Sequence, residues 1–445
     1  MSEQIFTLME QKEYNEARKR VVEMNAVDIA EILEELDIED GIILFRMLPK
    51  DLSVEVFSYL SNEHQKSIIN VITDKEIQHI MEKMFFDDMI DLLEEMPANI
   101  VKKILKHTKE EERKLINQFL NYPANSAGSL MTIEYVGLKK EMTVKQAMEY
   151  IKTIAIDRET IYTCYVMNES RKLEGIVSLR KLVISDETKT ISEIMTKDVI
   201  YVHTHDDRED IARVFRKYNF MALPVVDKED RLIGIITVDD IINVIDQENT
   251  EDFQRMAAME PSDEEYLDTS IFTLAKKRVG WLLFLMISAI FTGNIIQHFE
   301  NMLQTVVVLT AFMPMLMGTG GNAGSQVSTL VIRGMALGEI ELKDILKVIW
   351  KELRVSIIVG AILSSINFVR IVYFEKFDIK IGLVVCITLF FVVILAKIIG
   401  GTLPIIAKLF RVDPAIMASP LISTFIDALS LFVYFSLASL ILGIG

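Results

Sequence analysis

The last 170 residues carry five runs that are uncharged or nearly so: Val279–Phe299, Asn301–Ile332, Val355–Val369, Ile381–Ala396 and Pro414–Gly445. Hydrocarbon offers no hydrogen-bond partners, so a chain that enters it must satisfy its own backbone as a helix or a closed barrel. Runs near the ~20 residues that a helix needs to cross a bilayer dictate helices. The third and fourth runs are short, and Arg370 and Lys397 at their ends extend them by snorkelling. The expectation is an α-helical transmembrane domain of five spans. Ten Lys and Arg side chains, among them Lys276–Arg278, Arg333 and Arg411, flank one side, against Arg370, Lys376 and Lys380 on the other. The positive-inside rule then puts the N-terminus in the cytoplasm and the C-terminus outside a plasma membrane. The opening residues, MSEQIFTLMEQKEYNE, have neither the basic flank nor the apolar core of a signal peptide, in keeping with that orientation.

Asp427 is the only charged residue in the 32-residue run Pro414–Gly445. A charge near the bilayer midplane costs roughly 2.5–3.5 kcal/mol on insertion scales, so a carboxylate kept there marks an ion or substrate pathway. Ser423 and Ser419 precede it at helical spacing and share its face. The result is a polar stripe on an apolar helix, half the wall of a cation pore. The second run carries MPMLMGTGGNAGSQ (Met313–Gln326), whose glycines suit either a tight packing seam or an unwound turn that brings Asn322 to the same pore. The two readings are compatible.

Charge divides the chain. From Lys276 onward there are 14 basic and 9 acidic residues, which leaves 33 basic and 55 acidic before it, a net of −22. Such an acidic half excludes nucleic acid as a partner and favours cations, although a solvated acidic surface reads the same way. Cys164 and Cys386 are isolated, so neither a disulfide framework nor a thiolate metal site is indicated.

From about residue 24 to 120, short amphipathic patterns recur with a period near 24 residues, as in Leu48–Leu60, Ile72–Met84 and Met96–Thr108. Helix pairs at a fixed period stack into a solenoid. Within it Asp87 and Asp91 stand at i, i+4 with Asp88 beside them, either a solvated edge or oxygen ligands for a hard cation.

A second repeat follows: Leu173–Val183 matches Leu232–Ile242, and each copy reads strand, helix, strand, strand, helix. These residues resemble a tandem CBS pair, most clearly in MALPVVDKEDRLIGIITVDDII (Met221–Ile242). The resemblance implies a ribose-contacting Gly-x-x-Ser/Thr-x-x-Asp run, matched by Gly234, Thr237 and Asp240. The first copy has Gly175 and Ser178 but Lys181 in place of the acid. One nucleotide site, for ATP, is therefore implied rather than two. His203 and His205 suit a strand end pointing to one side better than a metal pair. Past the repeat, Asp246, Glu248, Glu251 and Asp252 open an acidic, periodic segment placed either to transmit a switch or to serve as a charged linker.

Taken in order, these parts are a helical-repeat N domain (1–125), an α+β CBS tandem (126–245), a connecting helix (246–275) and a five-helix membrane domain (276–445). They resemble the MgtE family of magnesium channels and transporters along the whole chain, most specifically in Gly318–Gln326 and Asp413–Asp427. The resemblance implies a homodimer in the lipid bilayer whose paired last helices line the pore at Asp427. It also implies cytosolic Mg²⁺ sites near Asp87, Asp88, Asp91, the backbone at Gly128, Asp240, Asp246, Glu248, Glu251 and Asp252, with Asp413 facing the connecting helix. Ser419 and Asn243 depart from residues found in some members.

Mg²⁺ gives up water reluctantly, so its pore should hold the hydrated ion through a carboxylate and hydroxyls. Acids on facing elements repel when empty and draw together around Mg²⁺, which would close the pore by feedback. In this reading an ion also bridges Glu251 and Asp252 to Asp413. Two other functions compete. A H⁺- or Na⁺-coupled divalent cation transporter would need an inverted repeat, and none is evident. A membrane-anchored nucleotide sensor leaves Asp427 unexplained. No nucleophile–base constellation points to an enzyme.

Overall fold

A computed structural model describes residues 2–262, 266–267 and 269–443. The chain forms two compact units, Met1–Val244 and Ile245–Gly445.

The first unit opens with helices of eight to ten residues. From Ala26 on they begin at residues 26, 38, 50, 62, 74, 86, 98 and 110, one every 12 residues. Two such steps make the 24-residue period. Each helix buries one apolar stripe, for example Ile77, Ile80 and Met81 of Asp74–Lys83, against its neighbours. Thr73 and Glu76 cap that helix reciprocally.

Two α+β modules follow. β1 (Val136–Lys139), β2 (Thr163–Met167) and β3 (Leu173–Ser178) form one sheet, with β1 parallel to β2 and β2 antiparallel to β3. β4 (Val202–His203), β5 (Ala222–Val226) and β6 (Leu232–Thr237) repeat that order. In each module an amphipathic helix, Val144–Ile154 or Arg208–Tyr218, crosses between the parallel strands. β5 is buried along its whole length, as the apolar run ALPVV requires. His203 ends the strand and His205 lies in the turn after it; both are exposed, His203 against the Tyr201 ring and His205 against the Tyr122 ring.

The connecting helix differs from its expected bounds of 246–275. It begins at Val238, as the last helix of the second module, and ends at Met256. Ala258 takes a left-handed conformation (φ 53°) and Pro261 follows, two features that stop a helix. Of the remaining expected stretch, residues 263–265 and 268 lie outside the described residues.

In the second unit, among the described residues, four helices are long and apolar enough to cross a membrane: Ile271–His298, Leu342–Phe374, Ile379–Leu409 and Ser419–Leu442. The last ends before residues 444–445, which lie outside the described residues. The run expected as a single second span is instead broken. It comprises a short helix (Glu300–Thr305), a 3₁₀ segment (Val307–Phe312) and a 24-residue helix, Met313–Ala336. That helix continues unbroken through its glycines, so the unwound turn is not formed. Lys397 does not end a span, because its helix continues to Leu409 and its side chain is buried.

Candidate pore and cation-sensing sites

The glycine-rich helix Met313–Ala336 packs against the last helix, Ser419–Leu442, and against Ile379–Leu409. Its glycines explain how closely. A methyl group added at Gly324 would lie 2.4 Å from Ile426 and 2.8 Å from Ile422; one added at Gly400 would lie 2.3 Å from the Gly324 carbonyl oxygen. These backbones touch because neither residue has a Cβ. Pro404 supplies no N–H to the Gly400 carbonyl, so the helix is weakened one turn from this crossing.

This seam sets the polar stripe. Asp427 and Ser423 are partly buried and Ser419 is exposed. Gly321 abuts Ser423, whose Oγ would lie 3.0 Å from an added methyl. Ser325 Oγ donates to Ser419 Oγ at 3.0 Å, and Ser328 Oγ donates to the Met417 carbonyl at 2.8 Å. Asn322 is exposed, while Gly321 and Ser325 of the same helix meet the stripe at Ser423 and Ser419. Ser325 could have been anticipated, since it follows Gly321 at i+4 on the same helical face.

At the start of the last helix, Asp413 does two things. Its Oδ1 accepts from the Ala415 N–H at 2.8 Å and caps the 3₁₀ turn Pro414–Met417. Its Oδ2 pairs with Arg255, whose other nitrogen pairs with Glu251 one turn back on the connecting helix. Glu251 and Asp413 are thus brought together as expected, but around a guanidinium that the sequence reading overlooked. Arg333 donates to Asn249 at 3.4 Å, and Met256 packs on Ile332, Ala415 and Ala418. Asp246 is exposed, while Glu248 and Asp252 are partly buried.

The first unit gathers a different set. Asp87 is buried, Asp88 partly so, and Asp91 is exposed, so the expected exposed pair on Phe86–Glu95 is split. Burial holds the Asp87 carboxyl well above the usual range, and the charges of Asp240, Asp88 and Glu159 push it further up. Burial also raises Asp88, with Asp239 adding to the rise and a hydrogen bond from Ser58 opposing it. Glu134 accepts from the Phe86 N–H at 3.3 Å and from the Thr132 hydroxyl, yet burial keeps its carboxyl raised. Glu159 is pushed up to about 7 by burial and by Asp239, Asp240, Asp88 and Glu134. Its Oε2 is buried with no hydrogen-bond partner among the described residues. Asp240 rises to about 6 through burial and neighbouring acids, despite the Thr237 hydroxyl that donates to it at 2.6 Å.

Six carboxylates from the helical repeat, the first module and the connecting helix therefore act on one another. Among the described residues, no three carboxylate, imidazole or thiol groups are close enough to chelate one ion directly. Gly128 is buried under the Tyr122 ring, and its N–H donates to the Thr204 carbonyl at 2.8 Å.

The expected nucleotide residues Gly234, Thr237 and Asp240 do not line the cavity that opens between the modules. A methyl at Gly234 would lie 2.5 Å from the Thr132 carbonyl oxygen, and Thr237 and Asp240 bond to each other beside the acidic cluster. A cavity of about 960 Å³ opens instead between the modules at Ser178, lined by Tyr162, Arg180, Asp198, Phe220 and Pro224 among others.

Comparisons with known proteins place each part. Residues 24–125 match the model of the MgtE intracellular N domain, 127–185 and 191–247 match the CBS domain, and 313–437 match a divalent cation transporter, MgtE. The magnesium transporter MgtE of Thermus thermophilus is 35% identical over 96% of this chain and 95% of its own length. That of Bacillus subtilis is 35% identical over 93% of both. A crystal structure of the cytosolic domain of the Mg²⁺ channel MgtE in complex with ATP is 33% identical, with a TM-score of 0.52, covering 55% of this chain and all of its own. Relatives this similar over nearly the full length leave one assignment: the chain belongs to the MgtE family.

Proposed function

We propose that this protein is a Mg²⁺-selective channel of the plasma membrane, closed by Mg²⁺ on its cytosolic side. The observation that carries the reading is Asp427: one carboxylate in an apolar helix, continued by Ser423 and Ser419 and backed by Gly321 and Ser325. A carboxylate above hydroxyls suits an ion that keeps most of its water. One chain supplies only one wall. A second copy supplies the facing one in a homodimer, with Met313–Ala336 as the fifth span and the C-terminus outside.

Regulation follows from the six acids of the first unit. Asp87, Asp88 and Asp240, which the resemblance implied, are joined by Glu134, Glu159 and Asp239. Their mutual repulsion opposes the packed arrangement at neutral pH, and a hydrated Mg²⁺ among them would replace repulsion with bridging through water. Asp91 and Gly128 flank this cluster in sequence, and Asp246, Glu248 and Asp252, which the resemblance also implied, lie further along the connecting helix. Asp239 and Asp240 lie in the first turn of that helix, and Glu251 and Arg255 near its end, so one element carries both the sensing acids and the contact to Asp413.

ATP suits the cavity at Ser178, where Tyr162 and Phe220 offer faces for a base and Arg180 a partner for phosphate. The Gly234, Thr237 and Asp240 set is the poorer candidate, because Thr237 and Asp240 bond to each other and Gly234 packs on the Thr132 backbone.

Mg²⁺ uptake in cells lacking other Mg²⁺ transporters tests the function. The protein should restore growth at low Mg²⁺, and uptake should be unchanged when the Na⁺ or proton gradient is collapsed. Uptake that vanishes with either gradient would make the protein a coupled transporter instead.

A further inference from the structure

Between the connecting helix and the segment that begins the last helix, the cation present is part of the chain. Arg255 sits one turn beyond Glu251 and pairs with it through one nitrogen, and with Asp413 Oδ2 through another. All three side chains are mostly shielded, at 29%, 25% and 26% exposure, so water screens them less than it does a surface pair. The guanidinium is planar, always charged and able to hold two carboxylates at once. Asp413 is itself anchored, because its other oxygen caps Pro414–Met417. Met256, the next residue, packs on Ala415 and Ala418 from the same turn and on Ile332 of the glycine-rich helix. Arg333, adjacent to Ile332, reaches back to Asn249.

We propose that Arg255 is a built-in latch that pins the end of the connecting helix to the Asp413–Ala418 segment, filling between Glu251 and Asp413 the place a divalent cation would otherwise take. Arg255 is a positioning residue and touches no transported ion. The latch rests on the reading of a Mg²⁺-closed pore for its consequence, but not for its existence. Its consequence is a division of labour: contact at the membrane end forms without Mg²⁺, and Mg²⁺ sensing is left to the acids at the other end of the helix. Loss of Arg255 removes the charge that Glu251 and Asp413 share and leaves their like charges to repel, which favours separation.

The test uses the full-length protein in liposomes with two readouts. The first is cross-linking of Met256→Cys to Ala415→Cys by a short bis-maleimide, with Cys164 and Cys386 replaced by serine. With Arg255 present the link should form in EDTA as readily as in Mg²⁺. With Arg255→Gln it should fall severalfold in EDTA, and Arg255→Lys should restore part of it. A link that needs Mg²⁺ when Arg255 is present, or one indifferent to Arg255→Gln, overturns the latch. The second readout is flux against cytosolic Mg²⁺. Arg255→Gln should raise the Mg²⁺ needed for half-closure by roughly three- to tenfold, and adding Asp413→Asn should change it little further. A lowered half-closure concentration would mean that an ion, repelled by Arg255, makes the bridge, and would also overturn the proposal. If wild-type flux ignores cytosolic Mg²⁺, the closure reading fails while the cross-linking result still judges Arg255.

Discussion

Replacing Glu159 with glutamine should stabilise the cytosolic half when Mg²⁺ is absent. A rise in the Glu159 carboxyl from 4.5 to about 7 corresponds to about 3 kcal/mol held against the folded state when the group is ionised. Glu159 is partly exposed, and screening by solvent reduces this to roughly 1–2 kcal/mol. Because the folded state binds this proton more tightly than the unfolded chain does, stability rises as pH falls from about 7 to about 4.5, and the penalty is fully present above that window. Glutamine keeps the shape and removes the charge. The variant should unfold roughly 2–8 °C higher than wild type at pH 8 in EDTA and lose part of the stability gained on acidification. It should also gain less from 10 mM Mg²⁺, since one of the charges the ion offsets is gone. Thermal unfolding of the detergent-solubilised full chain, followed by intrinsic fluorescence from pH 5 to 8, makes the comparison. A variant less stable than wild type at pH 8, with an undiminished response to Mg²⁺, would refute the reasoning, because Glu159 would then be making a favourable contact rather than suffering repulsion.

Other outcomes follow from the same structure. Gly400→Ala places a methyl 2.3 Å from the Gly324 carbonyl oxygen and should destabilise the membrane domain by about 1–3 kcal/mol or more, whereas Gly318→Ala, which meets nothing within 4 Å, should be neutral; melting in detergent separates them. Phe220→Ala or Arg180→Ala should weaken ATP binding at least tenfold by calorimetry, and Thr237→Ala should not; the reverse pattern would return the nucleotide to the second module. Millimolar Mg²⁺ should slow proteolysis between Met256 and Ile271, and cleavage indifferent to Mg²⁺ would reduce the acidic cluster to a solvated surface.

The helical repeat was legible because each helix needs its own apolar stripe, and eight helices set 12 residues apart repeat the pattern every 24 residues, two helices at a time. The place of Asp427 inside an apolar helix was legible for a different reason: a lone carboxylate stands out in an apolar run. The acidic cluster was half legible. Asp87, Asp88 and Asp240 stood out locally, and Asp239 stands directly beside Asp240, but Glu134 and Glu159 join them only through tertiary packing, across separations that no short pattern spans. Arg255 was passed over because an acidic segment invites the expectation of a foreign cation, although its i+4 spacing from Glu251 was in plain view. The nucleotide motif is the part on which sequence and structure point to different places. Its residue types fall at Gly234, which packs on the Thr132 backbone, whereas the cavity between the modules opens at Ser178, and sequence spacing carries no record of that cleft.

The central claim is that Mg²⁺ passes along Asp427. Liposomes containing purified protein and an enclosed Mg²⁺-sensitive dye measure it directly, wild type against Asp427→Ala, with size-exclusion profiles and melting curves matched between the two. Asp427→Ala should reduce Mg²⁺ influx at least tenfold while its profile and melting remain those of wild type. Wild-type influx from a well-folded Asp427→Ala protein would contradict the account.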